Sequence, residues 1–138
     1  MFCDASQYAY AAVAYLKVSD TKGSFKTSIV MGKSRVAPQA TIPRLELSAA
    51  VTGARLYQKI VDELSFTDIT PYFWTGSMCV LRYIQNTRSA FKIFVANRLE
   101  IITTSQKLTD GFTYQRNLTL LMLRPEVSCR MKLTLMLF

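Results

Sequence analysis

Hydrophobic residues at helical spacing dominate one stretch of the chain and predict its longest element. From residue 41 to about residue 66, Leu, Ala and Val recur every three or four positions, which is typical of a helix with one buried face. Thr41 is a suitable N-cap, and Pro43 stands in the first turn, where a missing N–H costs little. Several small side chains would let this helix lie close against a sheet: Ala49, Ala50, Gly53 and Ala54.

Strand patterns occur on both sides of this helix. Two aromatic and alternating segments joined by SDTKGS predict a hairpin, and FWT after the helix predicts a buried fourth strand. A hairpin followed by helix-linked strands predicts an α/β fold, a mixed sheet with helices packed on it. We predict strands at 1–4, truncated, and at 8–18, 25–35 and 72–75, helices at 78–84 and 91–102, and a polar loop at 103–109.

Two carboxylates stand where the predicted elements converge. Asp4 ends the first strand, and Glu46 lies in the first two turns of the long helix, where the helix dipole favours its charged form. Ligand sites in such sheets collect at the carboxyl ends of strands, so we expect Asp4, Glu46 and the Thr75-Gly76 strand end to meet. The plain alternative for Glu46 is a solvated carboxylate in a first helical turn.

The composition narrows the possible chemistry. The chain has 138 residues, enough for one domain, and a net charge of +8, which suggests a polyanionic partner, nucleic acid before membrane. It has no histidine, which excludes His-based nucleophilic catalysis and His-containing metal motifs. Three widely spaced cysteines predict free thiols in a reducing compartment. With no signal-peptide pattern and no apolar run near the ~20 residues of a bilayer span, we expect an intracellular protein without a membrane partner.

Five blocks of sequence carry a specific family resemblance. In order they read FCDASQYAYAAVAYL, KSRVAP, TIPRLELSAAVTGARL, FWTGS and FKIFVANRLEII, and they cover residue 2 to about residue 110. Together they resemble the ribonuclease H-like region of Bel/Pao-type retrotransposon polyproteins, a stretch also labelled as a Pao retrotransposon peptidase. The resemblance implies a ribonuclease H fold, a five-stranded mixed sheet flanked by helices. It also implies a parent activity in reverse transcription, metal-dependent cleavage of RNA in RNA–DNA hybrids. The implied partners are such hybrids or other nucleic acid, and the polyprotein's reverse transcriptase, peptidase and integrase.

The resemblance also implies a site of four carboxylates around two Mg²⁺ ions. Asp4 and Glu46 match the first two carboxylates, as catalytic and metal-binding residues. The third belongs to a W-T-D-S block, which here reads WTGS, so that Gly76 occupies its position. The fourth belongs to a C-terminal block resembling Y-V-P-x-E-L-N-P-A-D-x-x-S-R-G, which is absent from the chain. We therefore expect that Mg²⁺ is not bound productively and that this copy is inactive, a pseudoenzyme.

Three cations cluster in sequence around the loop before Glu46. Lys33, Arg35 and Arg44 are predicted nucleic-acid-binding residues, because phosphate contacts position a duplex without reading its sequence. The alternative is a solvated basic rim, since surface Lys and Arg side chains usually stay in water.

Three further side chains have structural interpretations. Phe73 and Trp74 are expected in the core rather than on a base-stacking surface. Ser77 is expected to cap the helix that follows it, and it is no candidate nucleophile because no base is available.

The last 27 residues match nothing in the resemblance. Read one base out of phase, codons for residues 112–127 permit Y-V-P-(A/T)-E-L-N-P-A-D-V-A-S-R-G, the missing block. We therefore predict a frameshift near Gly111 or Phe112, which divides the chain into a degenerate ribonuclease H-like domain, 1–111, and an aberrant tail, 112–138, that is not a domain.

Three functions are compatible with these observations. The chain is a degenerate ribonuclease H-like domain that has lost its chemistry, or a non-catalytic nucleic-acid-binding module. An aspartic peptidase is the third, and it is set aside because the chain has no Asp-Thr-Gly or Asp-Ser-Gly, for which Thr75-Gly76-Ser77 is no substitute.

Overall fold

In the described part of the chain, three helices pack against a mixed sheet of six strands. The computed structural model describes residues 1–19, 24–64, 69–86, 90–107 and 133–135. In chain order the elements are β1 (Phe2–Ala5), β2 (Ala9–Ser19), β3 (Phe25–Val36), α1 (Ile42–Leu64), β4 (Ile69–Pro71), β5 (Trp74–Thr75), α2 (Met78–Gln85), α3 (Ile93–Lys107) and β6 (Leu133–Leu135). None of the helices in this part of the chain combines the length and apolar character that a bilayer span requires.

The strand β1 is short but central. It pairs antiparallel with β2, where Asp4 lies opposite Ala11, and parallel with β5, where Cys3 lies opposite Thr75. The strand order is β4-β6-β2-β1-β5, and β3 pairs with the other edge of β2 in a long hairpin. The predicted α/β architecture, a mixed sheet flanked by helices with a short first strand, is confirmed.

The helix α1 lies close against β1 because both surfaces carry small side chains. A Cβ atom added at Gly53 would lie 2.5 Å from the Cys3 Sγ, so this helical position has room only for glycine. The core between α1 and the sheet holds the following buried side chains: Met1, Cys3, Ala12, Ala14, Ala49, Leu56, Tyr57, Ile60 and Phe73.

A second core joins the three helices. Val80 of α2 and Ile102 of α3 are almost completely buried, and they pack with Leu47, Val51, Ala54 and Leu99. Helix α1 therefore contributes to both cores, which explains why its apolar positions are more numerous than one face would need.

Several predicted boundaries are wrong. The predicted strand at 72–75 is shorter, because β5 holds only Trp74–Thr75. The strand β4 precedes it at positions where no strand was predicted. Phe73 between them is instead buried edge-on against Tyr57, with ring centroids 5.6 Å apart. The predicted loop at 103–109 is also wrong, because α3 continues to Lys107.

The described residues of the tail, 133–135, form a strand that was not predicted from the sequence. The strand β6 pairs parallel with β4 and antiparallel with the end of β2. The rest of the predicted tail, 112–132 and 136–138, lies outside the described residues.

Candidate functional site

Asp4 and Gly76 occupy corresponding positions on two neighbouring parallel strands. Since Cys3 pairs with Thr75, the next residues on the two strands are Asp4 and Gly76. The Asp4 side chain is exposed to solvent. A Cβ atom added at Gly76 would meet nothing within 4 Å, and the Gly76 backbone is outside the left-handed region that favours glycine. Neither space nor backbone conformation therefore requires a glycine beside Asp4.

Glu46 is bound to the start of α2. The Ser77 hydroxyl donates a hydrogen bond to the Glu46 Oε2 atom, and Ser77 is buried while Glu46 is half-buried. The Ser77 Oγ atom also accepts the Val80 N–H at 3.3 Å, which makes Ser77 the N-cap of α2. The predicted capping role is confirmed, and the contact with Glu46 adds a link between α1 and α2.

The carboxylates of this site do not fit a pair of magnesium ions. Two Mg²⁺ ions about 4 Å apart need several carboxylates between them. Among the described residues, no group of three or more His, Cys, Asp or Glu side chains could hold a metal ion. Of the residues placed at the site, Asp4 and Glu46 supply the carboxylates, and one Glu46 oxygen already accepts the Ser77 hydroxyl. The segment after α3, where the resemblance would place a fourth carboxylate, lies outside the described residues.

The predicted nucleic-acid-binding cations are divided between two places. Lys33 and Arg35 lie in one groove between β3 and the helices α1 and α3. Arg44 does not line this groove; its guanidinium lies 5.0 Å from the centre of the Phe94 ring. The Arg98 guanidinium lies 3.5 Å from the same ring centre and does line the groove. The Phe94 ring thus contacts both Arg44, outside the groove, and Arg98, which lines it.

Three cations of this groove were missed by the sequence analysis. We call it the basic groove: it has a volume of about 400 Å³, and its charged side chains are Lys33, Arg35, Arg55, Lys59 and Arg98. Ser48, Thr52, Arg55 and Lys59 recur on α1 at spacings of four, three and four residues. This polar stripe is visible in the sequence and could have identified Arg55 and Lys59.

Arg98 is held in place at the wall of the groove. Its Nε atom donates to the Ser48 hydroxyl at 3.4 Å, and another guanidinium nitrogen donates to the Phe94 carbonyl at 3.2 Å. Burial lowers the pKa of Arg98, and the charges of Arg55 and Arg44 lower it further against an opposing effect of Tyr10. Positive charge is therefore concentrated at this point of the molecule.

The aromatic residues beside the site belong to the interior. Trp74 is buried and stacks on Phe2 with ring centroids 4.7 Å apart, while Phe73 is buried in the core. The prediction that these residues are core side chains is confirmed.

Solved ribonuclease H structures share this fold. A ribonuclease H1 named LC11, solved in complex with an RNA/DNA hybrid, is 14% identical over 83% of this chain and 80% of its own, with a TM-score of 0.57. Ribonuclease H1 from the halophilic archaeon Halobacterium salinarum is 13% identical over 86% of this chain and 85% of its own, with a TM-score of 0.53. An N-terminal ribonuclease H domain from Mycobacterium tuberculosis, solved as a fusion with maltose-binding protein, is 12% identical over 80% of this chain and 77% of its own, with a TM-score of 0.52. At these identities the similarity shows a common fold.

Sequence comparison identifies the family. No curated protein matches the chain. A family model described as the Pao retrotransposon-like RNaseH-like domain matches residues 1–77, more than half of the 138 residues and a range that includes Asp4, Glu46 and Gly76. The chain belongs to the Pao retrotransposon-like RNaseH-like domain family.

Proposed function

We propose that this chain is the ribonuclease H-like domain of a retrotransposon polyprotein in a copy that does not cleave RNA–DNA hybrids. The observation that carries the proposal is Gly76, which stands beside Asp4 at the ends of two parallel strands. In the resemblance described above, that position bears the third carboxylate of the site. The open space around Gly76 would accommodate a carboxylate, which supports a change of residue at this position and not a change of fold.

One further observation and one hypothesis support inactivity. One oxygen of Glu46 accepts the Ser77 hydroxyl, so the remaining carboxylates offer fewer open oxygens to a cation. The fourth carboxylate of the resemblance would be encoded one base out of phase, across the codons of Leu121 and Met122. Under this proposal the parent element supplies reverse transcriptase, peptidase and integrase on the same polyprotein, and residues 112–138 are a translated frameshift.

A cleavage assay tests the proposal. The unmodified chain is mixed in excess with a hybrid whose RNA strand is end-labelled, in Mg²⁺ and separately in Mn²⁺. We expect no product above that of the Asp4→Asn variant. Gly76→Asp alone should recover little activity, because it restores only one of two missing carboxylates. Cleavage by the unmodified chain that disappears in Asp4→Asn would refute the proposal.

A second function is favoured by the basic groove. A non-catalytic nucleic-acid-binding module needs the fold and a basic surface but not the missing carboxylates, and the ribonuclease H1 named LC11 was solved with a bound RNA/DNA hybrid. Gel-shift titrations with hybrid, duplex DNA and single strands test this alternative. The absence of any shift at moderate salt would exclude it.

A further inference from the structure

The basic groove collects positive charge from three separate elements. Lys33 and Arg35 come from β3, Arg55 and Lys59 from α1, and Arg98 from α3. Apart from Arg98, these side chains are exposed to solvent, so their charged ends can reach a ligand. The positions are far apart in sequence and converge only through the packing of α1 and α3 beside the hairpin.

This positive charge is not compensated from within the described part of the chain. No carboxylate lines the basic groove, and its polar lining consists of hydroxyl and amide groups such as Ser48, Thr52 and Asn97. Among the described residues, none of the five cations forms an ion pair with an Asp or Glu side chain. Such a surface repels cations and attracts a polyanion, and the hydroxyl and amide groups can donate hydrogen bonds to phosphate oxygens.

The groove begins near the carboxyl end of β1, the strand that bears Asp4. Arg35 pairs with Tyr10 across the β2–β3 ladder, and Tyr10 pairs with Ala5, the residue after Asp4. From there the groove follows α1 from Ser48 to Lys59, which at the helical rise is about 16 Å. Because phosphates of one strand repeat about every 3.4 Å along a duplex axis, this length spans about five nucleotides.

We propose that the basic groove binds the sugar–phosphate backbone of one nucleic-acid strand, extending the interaction surface away from Asp4 and along α1. This inference rests on the nucleic-acid interaction proposed above and assigns it to Arg55, Lys59 and Arg98 in addition to Lys33 and Arg35. Tyr10 is the aromatic residue of the lining. With few rings on which bases can stack, recognition is through phosphates and independent of sequence.

The shape of the surface favours a strand over a lipid headgroup layer. The cations line a concave space between a hairpin and two helices, into which a single chain fits, whereas a bilayer presents a flat array of headgroups. Anionic vesicles are therefore the comparison that decides the class of partner.

Fluorescence anisotropy tests the proposal with two matched double variants. Arg55→Gln/Lys59→Gln removes two exposed cations of the groove, and Lys26→Gln/Arg82→Gln removes two exposed cations that do not line it. Both variants have the same net charge, so a difference in their affinities reflects the location of the removed cations. The probes are a labelled RNA–DNA hybrid, each single strand, and vesicles of phosphatidylserine and phosphatidylcholine, from 50 to 200 mM salt.

We expect the groove variant to weaken hybrid and single-strand binding by about tenfold and to lower the salt slope by about 1.4 to 1.8, because two phosphate contacts are lost. The control variant should leave both quantities close to those of the unmodified chain. A second groove variant, Lys33→Gln/Arg35→Gln on the opposite wall, should reproduce the loss, and thermal melts followed by circular dichroism establish that all variants fold.

Three results would overturn the inference. They are equal losses in the groove and control variants, tighter binding to the vesicles than to nucleic acid, and no binding of nucleic acid by the unmodified chain. Asp4→Asn separates this inference from the proposed inactivity, since it should leave groove binding intact. Hybrid cleavage would refute the inactivity without bearing on the groove.

Discussion

The Ser77 hydroxyl donates its hydrogen bond to the Glu46 carboxylate, and this contact joins the first turns of α1 to the N-terminus of α2. In the same geometry the Ser77 oxygen accepts the Val80 N–H and so caps α2. Glu46, which the family resemblance implies as a metal ligand, here accepts a hydrogen bond that links two helices. The contact therefore has a consequence for stability that can be measured apart from any activity.

Ser77→Ala should destabilise the chain by about 1 to 2 kcal/mol, because it removes an N-cap and leaves a half-buried carboxylate without a donor. Ser28→Ala, at an exposed position of β3, is the matched control and should stay within about 0.5 kcal/mol. Denaturant unfolding measures both changes. Equal free energies of unfolding for the two variants would contradict the capping role.

Gly53→Ala should also destabilise the chain, although alanine is normally the better helix former by about 1 kcal/mol. The new Cβ atom would lie 2.5 Å from the Cys3 Sγ, and overpacking of this kind costs about 1 to 3 kcal/mol. In a Cys3→Ala background the same change should be neutral or stabilising. The double-mutant cycle, with Gly76→Ala as an open-space control, detects the coupling; an additive cycle would contradict it.

Alkaline pH should weaken the fold through Cys3. Burial raises the pKa of its thiol from 9.0 to about 12, so the folded chain holds the proton where the unfolded chain releases it. The contribution of Cys3 is complete below pH 9.0 and is lost as the pH rises from there toward about 12. In a Cys79→Ser/Cys129→Ser background, unfolding free energies from pH 8 to 11 should fall faster with Cys3 present than in Cys3→Ala. Parallel curves would contradict this.

Most of the architecture could be predicted because its elements have strong periodic patterns. The apolar positions of α1 and the aromatic hairpin predicted a sheet with helices packed on it. They also predicted that Asp4 and Glu46 lie near the carboxyl ends of the strands. The two short strands around Phe73 could not be separated, since the run YFWT is apolar throughout and lacks an alternation that marks where pairing stops. The strand β6 could not be predicted either, because its pairing with β4 depends on contacts distant in sequence.

The site was only partly predictable for a related reason. Asp4, Gly76 and the capping Ser77 follow from local sequence, because each stands at the end or start of an element. The contact between Glu46 and Ser77, and the convergence of Arg98 with Lys33, arise from the tertiary packing of helices. Dispersed cations give no run in the sequence, so the basic groove became visible only when β3, α1 and α3 were assembled.

The gene should contain the family's C-terminal block one base out of phase. On the frameshift hypothesis, the codons for residues 112–127 encode Y-V-P-(A/T)-E-L-N-P-A-D-V-A-S-R-G in the shifted frame. DNA sequencing of this region, with its flanking reading frames, is the measurement. Codons that do not encode this block would refute the hypothesis and leave the tail without an explanation.

Mn²⁺ titration of the folded chain, followed by electron paramagnetic resonance, measures whether this site has the carboxylates to hold a metal pair. We predict that the unmodified chain and Asp4→Asn bind Mn²⁺ equally weakly and without saturation, whereas Gly76→Asp, with a third carboxylate beside Asp4, gains affinity. Two saturable Mn²⁺ sites in the unmodified chain that are lost in Asp4→Asn would show that the site does hold a metal pair.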